Sequence, residues 1–179
     1  MDAAAIEAAR GGDRAAQAQL LSALQDVWFR FCLSQLRGDR DRAADATQET
    51  ALRFLRQLPT FRGDSHLQTW SLSIALNVVR EMRRAQRPSD DLNLALPQLS
   101  SPQRGAGGLG EVEASDEAGV LKQTLALLPD RQREAITLRF LEELSVDETA
   151  AVMKCATGTV KATVHQALRA LREKLKQLH

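Results

Sequence analysis

Apolar residues recur at three- and four-residue intervals over the two ends of the chain and lose that rhythm in its middle. This spacing lays one apolar stripe along a helix, whereas strands alternate residue by residue, and no alternating stretch stands out. The pattern predicts an all-α protein made of two small helical blocks. In the first block Gly11-Gly12 interrupts a short N-terminal helix, and Asp13 is placed to cap the next, which runs to a stop at Gly38. A third helix is expected over about Asp41–Gln57, with a core stripe of Ala44, Thr47, Ala51, Phe54, Leu55 and Leu58. Ser65 is placed to cap a fourth, reaching Gln86. In the second block one helix precedes Leu127-Leu128-Pro129, and Asp130 is expected to cap another through Leu141. Ser145-Val146-Asp147-Glu148 has the spacing of a capping box opening a short helix to Met153. Lys154-Cys155-Ala156 then forms a tight connection to a long last helix from Thr157.

Between the blocks, residues 88–118 concentrate Pro, Gly and Ser and carry no sustained helical period, so they read as a flexible linker. Charge follows the same division. Residues 1–87 carry 13 Lys/Arg against 10 Asp/Glu, residues 88–118 carry one against six, and residues 119–179 carry 10 against seven. Two mildly basic blocks thus flank an acidic tether, and the expected domains are 1–87 and 119–179. A length of 179 residues suits one ordinary domain or two small ones, and the absence of tyrosine with only 4% aromatics favours helix over sheet.

Several function classes fall away. No apolar run approaches the roughly 18 residues of a membrane span. The start of the chain lacks the positive-then-apolar sequence of a signal peptide, so a cytoplasmic location is expected. Cys32 and Cys155 are far apart and are expected to be buried, reduced thiols. The three histidines make no metal set with them. Without a phosphate-binding glycine loop or a nucleophile constellation, neither an enzyme nor a cofactor is expected.

Three helix faces carry candidate chemistry. On the fourth helix Leu67, Trp70, Ile74, Val78 and Met82 share a core side. Thr69, Ser73, Asn77, Arg80, Arg84 and Arg87 fall within roughly 80° on the other, with Arg83 beside them. Such a ridge suits nucleic acid, since guanidinium groups hold phosphates and shorter donors reach base edges. It equally describes a solvated face whose arginines complement the helix C-terminus. The last helix has an apolar stripe, Val160, Val164, Leu168, Leu171, Leu175 and Leu178, and is expected to pack along its length. Its first turns carry Thr157, Thr159, Lys161, Thr163 and Gln166. A capped helix, a tight turn and a second helix with polar N-terminal side chains is the layout of a helix-turn-helix, and also of a plain helical hairpin. On the third helix Asp45, Gln48, Glu49, Leu52 and Arg56 follow helical spacing with Arg53 adjacent, as a wet surface or a modest protein-binding face would.

Taken together, these stretches resemble the extracytoplasmic-function (ECF) class of bacterial sigma factors. DATQETALRFLRQLPTFRGDSHLQTWSLSIALN is similar to the family's region 2, and LLPDRQREAITLRFLEELSVDETAAVMKCATGTVKATVHQALRALREKL to its region 4. The resemblance implies an alternative sigma factor that binds core RNA polymerase and directs promoter-specific initiation. In its terms Asp45, Gln48, Glu49, Leu52, Arg53 and Arg56 dock on the β′ clamp helices. Arg62, Asp64, Ser65 and His66, over a scaffold anchored by Trp70, serve a base flipped from the −10 element. Asn77, Arg80, Arg83 and Arg84 follow the −10 DNA, and Thr157, Thr159, Lys161, Thr163, Gln166 and Arg169 read the −35 duplex. The linker would enter the polymerase's active-site cleft and RNA exit path; the β subunit and an anti-sigma factor are further expected partners. Ala156 and Thr163 depart from the family's common Ser and Arg, which weakens a cap and removes a DNA contact, so the −35 sequence does not carry over. The residues alone also admit a stand-alone helix-turn-helix regulator or a helical adaptor.

Overall fold

The computed structural model describes residues 2–86 and 123–177; the linker expected at 88–118, Arg87 and Leu178 lie outside the described residues. Every element described is helical. The first group is α1 (Ala3–Arg10), α2 (Arg14–Gln35), α3 (Arg40–Gln57) and α4 (Leu67–Ala85), with a 3-10 turn over Leu58–Thr60. After a helical turn at 123–126 come α5 (Asp130–Ile136), a π-helical turn over Thr137–Leu141, α6 (Val146–Met153) and α7 (Thr157–Gln177).

Short-range signals fix most of the helix starts. Asp13 accepts from the Ala16 amide at 2.9 Å, and Asp39 caps α3 in the same way from Arg42 at 3.1 Å. The Ser145 hydroxyl accepts from the Glu148 amide at 3.1 Å while the Ser145 amide donates to the Glu148 carboxylate at 2.9 Å, a complete capping box. Two caps differ from expectation. His66, not Ser65, is the N-cap of α4, and its side chain makes no cap bond. Gly63, at φ 79°, turns the loop so that the extended residue entering the helix comes at His66. Likewise Pro129 supplies the extended backbone before α5, leaving Asp130 inside the first turn with its carboxylate on Arg133 at 2.5 Å.

α2 packs along α3, and α4 closes against both. Trp28, Phe31 and Phe54 are fully buried in their midst, each such burial contributing about 1.5–3 kcal/mol. The Trp28 indole N–H donates to the Ser71 hydroxyl at 2.9 Å, so the buried ring leaves no orphan donor. The α3 stripe is turned by about one position from expectation. Ala43, Ala46, Thr50 and Phe54 are buried, Ala44 is exposed, and Thr47, Ala51 and Leu55 are half-buried. Lying between α2 and α4, α3 turns its small residues inward, where they permit close approach. The Thr50 hydroxyl donates back to the Ala46 carbonyl at 2.7 Å, so it is satisfied inside the core.

The second group is not separate from the first. Leu138, Leu144, Val152 and Met153 join the same buried cluster as α2–α4, while Leu125, Leu128, Ile136, Ala167 and Leu171 form a smaller one with α7. α7 packs on α5 and α6 through Val160, Ala167 and Leu171. It does not pack through the whole expected stripe: Leu168 and Leu175 are 43% and 37% exposed, because the buried face runs through Val160, Ala167 and Leu171. Cys32 is buried and Cys155 only half-buried, both as free thiols.

Candidate nucleic-acid interface

On α3, Asp45, Gln48 and Arg56 are exposed and Leu52 is 50% exposed, on one side of the helix. Arg53 and Glu49 are half-buried at its edge. Arg53 donates to Glu49 at 2.6 Å and, with two nitrogens, to Glu81 of α4 at 2.9 and 2.7 Å. The hydrogen bonds that Arg53 donates to Glu81 and then to Glu49 push its guanidinium further up, and Arg53 in turn holds the Glu81 carboxyl down. The face is therefore an exposed leucine among exposed polar side chains, with an Arg fixed by two carboxylates beside it. Such a surface can dock another helix.

The loop after α3 has an apolar foot and a polar tip. Phe61 is buried with its ring 5.1 Å from that of Trp70, which lies 5.6 Å from Phe54. Arg62, Asp64, Ser65 and His66 stand exposed around Gly63. This arrangement leaves several hydrogen-bonding groups open to solvent above a foot of packed rings.

The α4 ridge is where the structure departs most from the sequence reading. It is not free: its central residues are engaged by the C-terminal helices. Thr69 is 3% exposed and donates to Glu148 at 3.0 Å. Arg80 donates twice to Glu134, at 3.2 and 2.6 Å, and Arg83 donates to the same carboxylate at 3.0 Å and to the Gln35 side chain at 2.9 Å. Glu134 is 1% exposed. A buried carboxylate needs its charge balanced, and two guanidinium forks supply both the charge and the donors. Asn77 and Ser73 are half-buried, and Arg84 remains exposed. The seam continues in Ser34 and Gln35 of α2, which bond the Thr137 hydroxyl at 2.9 and 3.0 Å.

Asp130 extends the network, lying 2.5 Å from Arg133, 3.7 Å from Arg83 and 3.9 Å from Arg37. Burial pushes its carboxyl up, but Arg83, Arg133 and Arg37 more than offset this and hold it below the usual range. Glu148 is also held low, chiefly by the Ser145 amide and then by the Ser145 hydroxyl. Gln35, Asp130, Arg133, Glu134 and Thr137 were not singled out from the sequence as site residues. The available signal was the charge run Asp130–Glu134 immediately before an apolar stretch, which a polar seam explains better than a wet surface.

At the start of α7, Thr157, Thr159, Lys161, Gln166 and Arg169 are exposed and Thr163 is half-buried. Lys154, at φ 54° and ψ 56°, ends α6 in the left-handed region and redirects the chain into α7. Arg169 pairs with Glu173 at 3.1 Å on an open surface, a contact of small energy that a phosphate can replace. The first turns of α7 are thus presented as a helix-turn-helix presents its recognition helix.

Two family models match in this order: Sigma-70 region 2 over residues 20–88, and Sigma-70, region 4 over residues 118–171. The chain belongs to the sigma-70 family. Its relatives place it in the ECF class. It is 35% identical over 153 residues to the RNA polymerase sigma-H factor of Pseudomonas aeruginosa, covering 78% of this chain and 76% of that one. To the ECF RNA polymerase sigma-E factor of Escherichia coli K12 it is 34% identical over 148 residues, covering 75% and 74%. As a sigma factor it binds core RNA polymerase and promoter DNA and directs transcription initiation. The sigma factor RpoE from Bartonella quintana, solved with the anti-sigma factor NepR, is similar with a TM-score of 0.66 and 28% identity, over 89% of this chain and 96% of that one. CnrH, solved with the cytosolic domain of CnrY, shares the fold at a TM-score of 0.70 and 21% identity, over 97% and 96%. Sigma factors of this family are non-catalytic initiation factors. No helix among the described residues is long and apolar enough to cross a membrane.

Proposed function

We propose that residues 1–87 form the unit that holds core polymerase and the −10 element, that residues 119–179 hold the −35 element, and that residues 88–118 join them. The α3 face carries this reading. Asp45, Gln48, Glu49, Leu52, Arg53 and Arg56 dock on the β′ clamp helices, with Leu52 as the apolar centre and Arg53 pre-positioned by Glu49 and Glu81. Arg62, Asp64, Ser65 and His66 take a flipped −10 base above the Phe61–Trp70 foot. Thr157, Thr159, Lys161, Thr163, Gln166 and Arg169 meet the −35 major groove and its phosphates.

Asn77, Arg80, Arg83 and Arg84 follow the −10 strand only after the seam has parted, since Arg80 and Arg83 are otherwise held by Glu134. The arrangement described is therefore a closed one, and initiation starts with its opening. The sigma factors similar in fold are solved with anti-sigma partners, and we extend such a partner to this chain. The protein works as a cytoplasmic, non-enzymatic factor. The test is binding to purified core polymerase by the wild type and by a Gln48→Ala/Leu52→Ala/Arg56→Ala variant. Submicromolar binding that falls at least about tenfold, roughly 1.4 kcal/mol, is the expected result. Undiminished binding by the variant removes α3 as the docking face.

A further inference from the structure

The loop that carries Arg62, Asp64, Ser65 and His66 leaves the 3-10 turn Leu58–Thr60, and α1 packs against that turn. Two carbonyls there are bonded locally. Leu58 accepts from the Phe61 amide at 3.1 Å, and Gln57 accepts from the Thr60 hydroxyl at 2.7 Å. The Pro59 carbonyl accepts from far away in sequence: Nη2 of Arg10, the last residue of α1, reaches it at 3.5 Å. The other arm of the same fork, Nη1, donates to Glu7 at 2.5 Å, and Arg10 Nε is enclosed. The guanidinium is thus tied to its own helix on one side and laid on the turn on the other.

α1 is itself anchored. At eight residues it has little helical stability of its own, so packing has to hold it. Ala9 is fully buried, and Ile6 packs half-buried on the same core. The Gln17 side chain of α2 donates to the Ala9 carbonyl at 3.0 Å, and the Asp13 amide donates to the Ala8 carbonyl at 3.0 Å. Both acceptors lie in the last turn of α1, where a helix leaves its carbonyls without partners. A run of contacts therefore leads from α2 through the end of α1 to Pro59 and the loop. An arginine suits the end of that run. Its fork can serve two acceptors at once, and its charge complements a helix C-terminus.

We propose that Arg10 is a positioning residue for opening of the −10 element: through the Pro59 carbonyl, α1 sets the entry of the loop that receives the flipped base. α1 lies ahead of the stretch matched by the region 2 model, residues 20–88. The inference rests on the proposed role of the Arg62–His66 loop and deepens it. Groups held in place before DNA arrives need not be ordered at the moment of binding, and that ordering is a cost of association.

The test uses holoenzyme assembled from core polymerase and the full chain, on a promoter duplex selected with the wild type. The duplex carries 2-aminopurine in its −10 element, whose fluorescence rises as the base unstacks. Arg10→Ala should lower that rise at least about threefold, the scale of ordering one side chain on binding. Binding to core and to −35 duplexes should stay as in the wild type. Arg10→Lys, which keeps a donor on a long stem, should recover most of the rise. Arg14→Ala, the same charge loss at an exposed position of α2, should open like the wild type. The salt slope of promoter binding should not change in Arg10→Ala. A slope lower by about 1 would make Arg10 a phosphate contact and overturn the proposal. It is overturned too if Arg10→Ala opens fully, or if core binding falls by the same factor as opening, as general destabilisation predicts. A Ser65→Ala/His66→Ala variant separates this inference from the role beneath it. Loss of opening there, with none in Arg10→Ala, removes the brace and keeps the loop; no loss in either removes the loop's role as well.

Discussion

Burial pushes the Glu142 carboxyl up, with Arg30 offsetting only part of the effect. A carboxyl raised in the folded protein resists ionisation there, so its charge opposes folding, and stability declines as pH rises through the folded value. Glu142→Gln should therefore raise the thermal midpoint at pH 7 and have little effect near pH 4, as thermal unfolding by circular dichroism will show. Equal effects at both pH values would mean that packing, not charge, governs the position. Cys32 is a second case. Burial lifts its thiol to about 12 against opposing hydrogen bonds from Thr47 and Thr50 and the nearby charge of Arg83. Iodoacetamide at pH 8 should modify Cys155 and spare Cys32 in the native protein, and modify both in denaturant, as read by mass spectrometry. At this scale the sequence disclosed residue type better than partnership. Arg80 and Arg83 were legible as guanidinium groups on a polar face. That Glu134 meets them was not, because a helical wheel contains only its own helix.

Among the helices, the signals read correctly are those whose parts lie within a few residues. Asp13, Gly38 and the Ser145–Glu148 box were read from local spacing, and each does what that spacing implies. Ser145→Ala should cost about 1 kcal/mol, measured by urea unfolding, since the Glu148 amide loses its hydroxyl acceptor while the bond from the residue-145 amide to the Glu148 carboxylate stays. What went wrong depended on neighbours. The α3 stripe turned because α2 and α4 flank it, Asp130 left its capping role for Arg133, and Leu168 stayed exposed because Ala167 and Leu171 occupy the packed face of α7. The proposed role of α7 makes its own prediction. Lys161→Ala should weaken binding of −35 duplexes about uniformly across sequences and lower the salt slope by about 1. A selective loss at one base position would make Lys161 a reader of sequence instead.

For the whole molecule, the deciding feature is the seam rather than either helical group, and no spacing rule pointed to it. Glu134→Ala leaves Arg80 and Arg83 without their buried carboxylate. Removing one side of such a pair costs about 3 kcal/mol, and here the loss falls between the two groups of helices. The radius of gyration from small-angle scattering should rise, and promoter binding in complex with core polymerase should strengthen; an unchanged radius would mean that the apolar part of the seam suffices. Acid should act in the same direction. Asp130 and Glu148 are both held low, so their contribution is present above the ordinary carboxylate range and is lost as pH falls through their folded values. The aromatic chain Trp28–Phe54–Trp70–Phe61 lies wholly within α2–α4 and the loop between α3 and α4, and the protein has no tyrosine and no other tryptophan. Its intrinsic emission is therefore a one-sided gauge. It reports melting of the N-terminal helices and is nearly blind to the others, so a seam that parts early will show as a circular-dichroism transition that fluorescence does not follow.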